Sequence, residues 1–164
     1  MTLGIHSTRS YAGAFGALSA PNERKRAIFD RMTLGKVIDT SAVSDGRCVD
    51  QPMFVDVEVG PQGSEQASEL ALRMLRSFLR AVDALPGSPS QQPTDYFEVT
   101  EIIGKEAGVP YEFVAENFER VASGDVYARK DGDPLVADEP FWPVLASGSG
   151  HDRILGYRSR LVGD

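Results

Sequence analysis

Phe54-Val55-Asp56-Val57-Glu58-Val59-Gly60-Pro61-Gln62-Gly63 is the stretch on which the fold turns. Met53, Val55, Val57 and Val59 alternate with Phe54, Asp56 and Glu58, the period-two pattern of a strand with one apolar face. Gly60, Pro61 and Gly63 do not extend a strand, so the chain is expected to turn there. Ser64 is placed to cap a following helix, with Glu65 near its positive end. Strand, turn and helix make half of a βαβ unit, and in open α/β sheets the reactive crevice lies beyond the carboxyl ends of the strands. Glu58 falls at such an end. A carboxylate there is paired, protonated or placed beside a cation, because a buried unpaired charge is costly. Two readings stand side by side: a general base or metal-site partner, and a strand-end acid matched by one of the 13 arginines or by water.

The helix after this strand carries Ala67, Leu70, Ala71, Met74, Leu75, Phe78, Leu79, Val82 and Leu85 at three- and four-residue steps, with Pro86-Gly87 as the expected stop. Arg73, Arg76 and Arg80 lie on its other side. No aromatic residues interleave with them, so they read as a wet face and not as a nucleic-acid surface.

Upstream, Leu3 to His6 reads as the end of a strand, Ser7 to Ser10 as the loop beyond it, and Phe15 to Leu18 as a second short strand. A helix opens at Pro21-Asn22-Glu23 and runs to about Met32. Its stripe is Ala27, Ile28, Met32 and Leu34, and Arg24, Lys25 and Arg26 are expected to face outward. Lys36 to Asp39 is a short strand, and 40–52 a polar loop. In that loop Arg47 suits a carboxylate bidentately, or pairs with Asp45 or Asp50.

Residues 87–95 form the one linker-like segment, rich in proline, serine and glutamine. Beyond it, Tyr96 to Ile103 alternates as a strand. Tyr111 to Phe118 reads as a short helix or as extended. Val126 to Arg129 and Pro134 to Ala137 flank an Asp131-Gly132 hairpin signal. Phe141 to Leu145 is a further strand with Trp142 as its buried anchor. Ser147-Gly148-Ser149-Gly150 lacks the lysine and helix of a phosphate loop, and His151 after it reads as an exposed loop histidine.

Composition bounds the rest. A chain of 164 residues with net charge −7 disfavours general affinity for nucleic acid or anionic membranes. Cys48 is the single cysteine, so no intrachain disulfide forms, and it reads as a buried spectator thiol. No apolar run approaches the ~18 residues of a membrane span, and no secretory signal is evident. A cytoplasmic protein is expected.

Val57 to Gln62 resembles the "EVGPQ" segment of the aspartoacylase and succinylglutamate desuccinylase family. Ile5-His6-Ser7-Thr8-Arg9-Ser10 resembles that family's "DLHST" or "DLHNT" segment. Asn117-Phe118-Glu119-Arg120-Val121, Gly124-Asp125, 131–135 and 141–145 resemble its C-terminal β domain. The resemblance implies an α/β fold: a partial carboxypeptidase-like sheet with helices over 1–86, the linker, and a small β-rich domain over 96–164. It also implies a zinc-dependent amide hydrolase acting on an N-acyl amino acid or similar small acid. Glu58 would be the general base, His6 a zinc ligand, and Arg47, Arg9 and His151 substrate contacts, with Tyr157 near His151.

The family's His-x-x-Glu ligand pair has no counterpart here, and Gly4 stands where "DLHST" has its aspartate. The chain therefore resembles the C-terminal portion of a family member. Missing ligands would come from an upstream partner polypeptide or from its own carboxylates. The alternative expectation is a catalytically inactive, truncated binding or self-associating module.

Overall fold

The computed structural model describes residues 1–44, 46–89 and 92–163. Asp45, weighed above as a partner for Arg47, and positions 90 and 91 of the expected linker lie outside the described residues.

Seven strands form one mixed sheet in the order β1-β4-β2-β3-β5-β10-β9. β1 (Thr2–Thr8) runs parallel to β4 (Phe54–Pro61). β2 (Ala14–Leu18) is antiparallel to β4 and parallel to β3 (Lys36–Asp39). β5 (Asp95–Gly104) follows β3 in parallel, and β10 (Ile154–Leu161) and β9 (Trp142–Val144) complete the sheet in antiparallel pairs. Strands β6 (Tyr111–Phe113), β7 (Val126–Lys130) and β8 (Asp133–Val136) make a separate three-stranded sheet. Lys130 pairs with Asp133 across the Asp131-Gly132 turn, as the hairpin signal required.

The βαβ expectation is corrected in its location. Helix α2 (Glu65–Ala81) leads from β4 to β5, which lies beyond β2 and β3 and runs opposite to β4. The adjacent parallel pair joined by a helix is β2–α1–β3, with α1 spanning Glu23–Asp30. The sheet also continues across the expected 87–95 boundary, because β5, β9 and β10 share it with β1 to β4; among the described strands, the second sheet comprises β6 to β8.

Two layers cover the large sheet. Val55, Val57 and Val59 pack against Phe29, Met32, Leu70, Met74 and Phe78 of the helical side. The opposite face carries Phe15, Ile38, Phe97, Phe118 and Val144. Phe15 lies directly across from Glu58 on the neighbouring strand, so the acidic face of β4 looks toward this aromatic layer.

Local details differ from the pattern reading. β1 runs through Thr8, and β4 runs through Gly60, where φ is +87° and an added Cβ would stand 2.8 Å from the Ala12 carbonyl oxygen. α2 ends at Ala81, ahead of Pro86-Gly87, with Asp83 in the left-handed region and paired with Arg31 at 2.6 Å. Leu75 and Leu85 of its expected stripe, and Ala27 of α1, are exposed. Residues 111–118 form a short strand and then irregular backbone. Phe141 is the buried anchor beside β9, whereas Trp142 is half-buried beneath Arg120. Cys48 is exposed, and Lys25 is completely buried, both opposite to expectation.

Candidate active site

The parallel register of β1 and β4 assembles the site. Gly4 lies beside Asp56, Ile5 beside Val57, and His6 beside Glu58. Period-two alternation sends Val55, Val57 and Val59 into the helical core and leaves Asp56 and Glu58 on the other face. There His6 Nε2 lies 3.3 Å from Asp56 Oδ1. A cavity of about 300 Å³ opens between these residues and the loop after β3; His6, Arg47, Cys48, Asp56, Glu58 and Leu145 are on its wall. That volume accommodates a small organic acid.

Two carboxylate oxygens of these lining residues, Asp56 Oδ1 and Glu58 Oε2, are buried without a hydrogen bond among the described residues. Burial raises the pKa of each acid above the ordinary carboxylate value. His6 pulls both back down, Lys25 does the same for Asp56, and Asp56 pushes Glu58 further up. Glu58 is thus an acid of raised proton affinity beside an imidazole.

The opposite wall is held from behind. Lys25 Nζ donates to the Ser19 carbonyl at 2.5 Å and to the Val49 carbonyl at 2.9 Å. Burial lowers its pKa, and Asp50, Asp39 and Asp56 oppose that drop. Val49 belongs to a single 3-10 turn, Cys48–Asp50, that follows Arg47. Asp50 accepts from Ser44 Oγ at 2.5 Å and from the Arg47 backbone N–H at 2.8 Å. Arg47 therefore meets Asp50 through its backbone N–H, its charge also helps lower the Asp50 pKa, and Arg47 is among the residues lining the cavity.

Arg9 and His151 lie elsewhere, in a neighbouring cavity of about 280 Å³ with Ser7, Ser147 and Tyr157; Leu145 borders both spaces. Arg9 Nε donates to Gln62 Oε1 at 3.2 Å. His151 is exposed, and its Nδ1 accepts from the Arg153 backbone at 3.2 Å. Asn117 ties the Ser10 and Ala146 segments together: Nδ2 donates to the carbonyls of Ser10 at 2.8 Å and Ala146 at 2.9 Å, and Oδ1 accepts from Ala146 N–H at 2.7 Å. The five site residues read from sequence thus divide into His6, Glu58 and Arg47 in one cavity, and Arg9 and His151 in the next. Asp56 and Lys25 were not read as site residues, although Asp56 shares the period-two face of Glu58.

As donors for a metal, these residues fit part of a site. A catalytic zinc centre takes three protein ligands and keeps an open position. His6 offers a ring nitrogen and Glu58 an unpaired oxygen. Among the described residues, no group of three or more His, Cys, Asp or Glu side chains is arranged to hold a metal ion.

No family model matches the sequence, and no curated protein sequence does. Solved structures do match in fold. A succinylglutamate desuccinylase/aspartoacylase from Rhodobacter sphaeroides superposes with a TM-score of 0.71 at 13% identity, covering 99% of this chain and 58% of that one. Murine aminoacylase 3 gives 0.74 at 13%, over 98% and 62%. The product-bound ectoine utilization protein EutE (DoeB) from Ruegeria pomeroyi gives 0.70 at 17%, over 96% and 57%.

Proposed function

We propose that this chain carries part of the active site of a zinc-dependent deacylase that hydrolyses the amide of an N-acyl amino acid or similar small acid. Its fold is the mixed α/β fold of the solved structures named above, among them a succinylglutamate desuccinylase/aspartoacylase and an aminoacylase, and it spans a little over half their length. The observation that carries the proposal is the unpaired, buried Oε2 of Glu58 beside His6, on the wall of a cavity that also has Arg47. Zinc, when bound, supplies Lewis acidity toward water and the acyl carbonyl. Glu58, with its raised proton affinity, takes a proton from the water whose oxygen attacks the acyl carbon, and returns it to the departing amine nitrogen as the C–N bond breaks. Arg47 fits the carboxylate of an acidic substrate, and Arg9 and His151 extend the polar lining of the adjoining cavity.

His6 is one nitrogen donor. Further ligands would come from a partner polypeptide or from carboxylates of this chain. A cytoplasmic setting belongs to the same proposal: the lone exposed thiol of Cys48 suits a reducing compartment, and among the described residues no helix is long and apolar enough to cross a membrane. The test is release of free amino acid from N-acetyl and N-succinyl amino acids, with zinc added or chelated. Zinc-dependent release that falls at least ~100-fold in Glu58→Gln is expected for a lost general base. Release unchanged in that variant, or none in the wild type with or without a complementing polypeptide, would reject the proposal.

One observation favours the alternative of a self-associating module. β1 is a seven-residue edge strand containing no proline and with Ile5 exposed, whereas edge strands β8 and β9 contain Pro134 and Pro143. Unblunted edges pair with other strands. A zinc-free dimer in sedimentation, dissociated by Ile5→Lys, would favour this reading.

A further inference from the structure

We propose that Asp56 is the positioning residue for His6, and that Gly4 is what admits it. Gly4 and Asp56 are register partners across β1 and β4. A Cβ built on Gly4 would stand 1.9 Å from Asp56 Oδ1, and 3.1 Å from both Asp56 Cγ and His6 Nε2. The space over Gly4 is therefore filled by the contact between acid and ring. Nothing in the backbone demands glycine there, because Gly4 lies within a strand and outside the left-handed region. Glycine weakens a strand interior, and a close approach is what offsets that cost. The Asp56 side chain is 17% exposed, and its Oδ1, buried and without a hydrogen bond among the described residues, lies 3.3 Å from His6 Nε2.

The chemistry follows from which ring nitrogen is engaged. A carboxylate facing Nε2 holds the neutral imidazole with its proton on that atom. Nδ1 then keeps its lone pair, free to bind a metal or accept a proton. Carboxylates beside metal-ligating histidines fix tautomer and orientation in this way. The functional consequence rests on the deacylase proposal; the positioning itself does not.

The test is nitrogen-15 NMR of the imidazoles in the metal-free protein, recorded at a pH where the nitrogen shifts themselves report neutral rings. The chain has two histidines, and the signals lost in His6→Gln identify His6. The wild type should show one fixed tautomer with the proton on Nε2. Asp56→Ala should give tautomer-averaged shifts. Gly4→Ala should do the same by displacing the carboxylate, and should add nothing in the Asp56→Ala background. Moving the acid across the strands, Gly4→Asp with Asp56→Gly, should restore the fixed tautomer. A His6 tautomer that stays fixed in Asp56→Ala, or that is untouched by Gly4→Ala, would overturn the proposal. Should Asp56→Ala fail to fold, Gly4→Ala alone decides. A fixed tautomer without any hydrolysis would keep this proposal and discard the deacylase; hydrolysis with an averaging His6 would do the reverse.

Discussion

Glu58 carries a buried, unpaired carboxylate oxygen, and the protein's stability should register it. Its pKa is raised above the ordinary 4.5, by burial first and by Asp56 as well. The folded state thus holds the proton more tightly than the unfolded chain. The stability linked to this proton is complete below pH 4.5 and is lost as pH rises through the elevated folded value. Glu58→Gln removes that loss. Its Tm should match the wild type near pH 4 and exceed it at pH 7. Equal melting temperatures at both pH values, by circular dichroism, would contradict this. Lys25 is the converse case, since its ammonium satisfies two carbonyls. Lys25→Met leaves both without that donor and should cost about 2–4 kcal/mol in urea denaturation; an unchanged midpoint would refute the anchoring role. The sequence contained a signal for Lys25. It stands three, four and seven residues before Ile28, Phe29 and Met32, on the stripe that became core. Its charge argued for the surface, and its burial is made tolerable by the Ser19 and Val49 carbonyls and by the charges of Asp50, Asp39 and Asp56.

At the scale of elements, the β4–α2 junction rests on Ser64. Its Oγ accepts from the Ala67 backbone N–H at 3.0 Å and itself donates to the Pro61 carbonyl at 2.8 Å. Ser64→Ala should cost about 1 kcal/mol, read by chemical denaturation, and no loss would remove the cap from the account. This junction was legible because strand alternation, turn residues and a cap agree over twelve residues. The end of α2 was less so. Asp83 adopts positive φ and pairs with Arg31, closing the helix before its apolar spacing runs out. The pairing partners of β4 were not legible at all. Nothing local to Ala14–Leu18 says that it enters between β4 and β3, antiparallel to the first and parallel to the second.

For the whole molecule, the seven-stranded sheet places strands from both sides of residues 87–95 in one hydrogen-bonded array. We expect a single calorimetric transition with matching calorimetric and van't Hoff enthalpies; two resolved transitions would show that 96–164 folds apart. The general class, a partial α/β sheet followed by β structure, was readable because hydrophobic period reports element type. The division into sheets was not, because it is set by contacts far apart in sequence. The same holds for the site. His6 and Glu58 are 52 positions apart, and only the parallel register of β1 and β4 makes them neighbours. Titration with cobalt(II), followed by proton–nitrogen NMR, tests that convergence most directly. Paramagnetic loss should begin at the amides of His6, Asp56 and Glu58 and disappear in His6→Ala. Loss beginning around His151, or unaffected by His6→Ala, would contradict it.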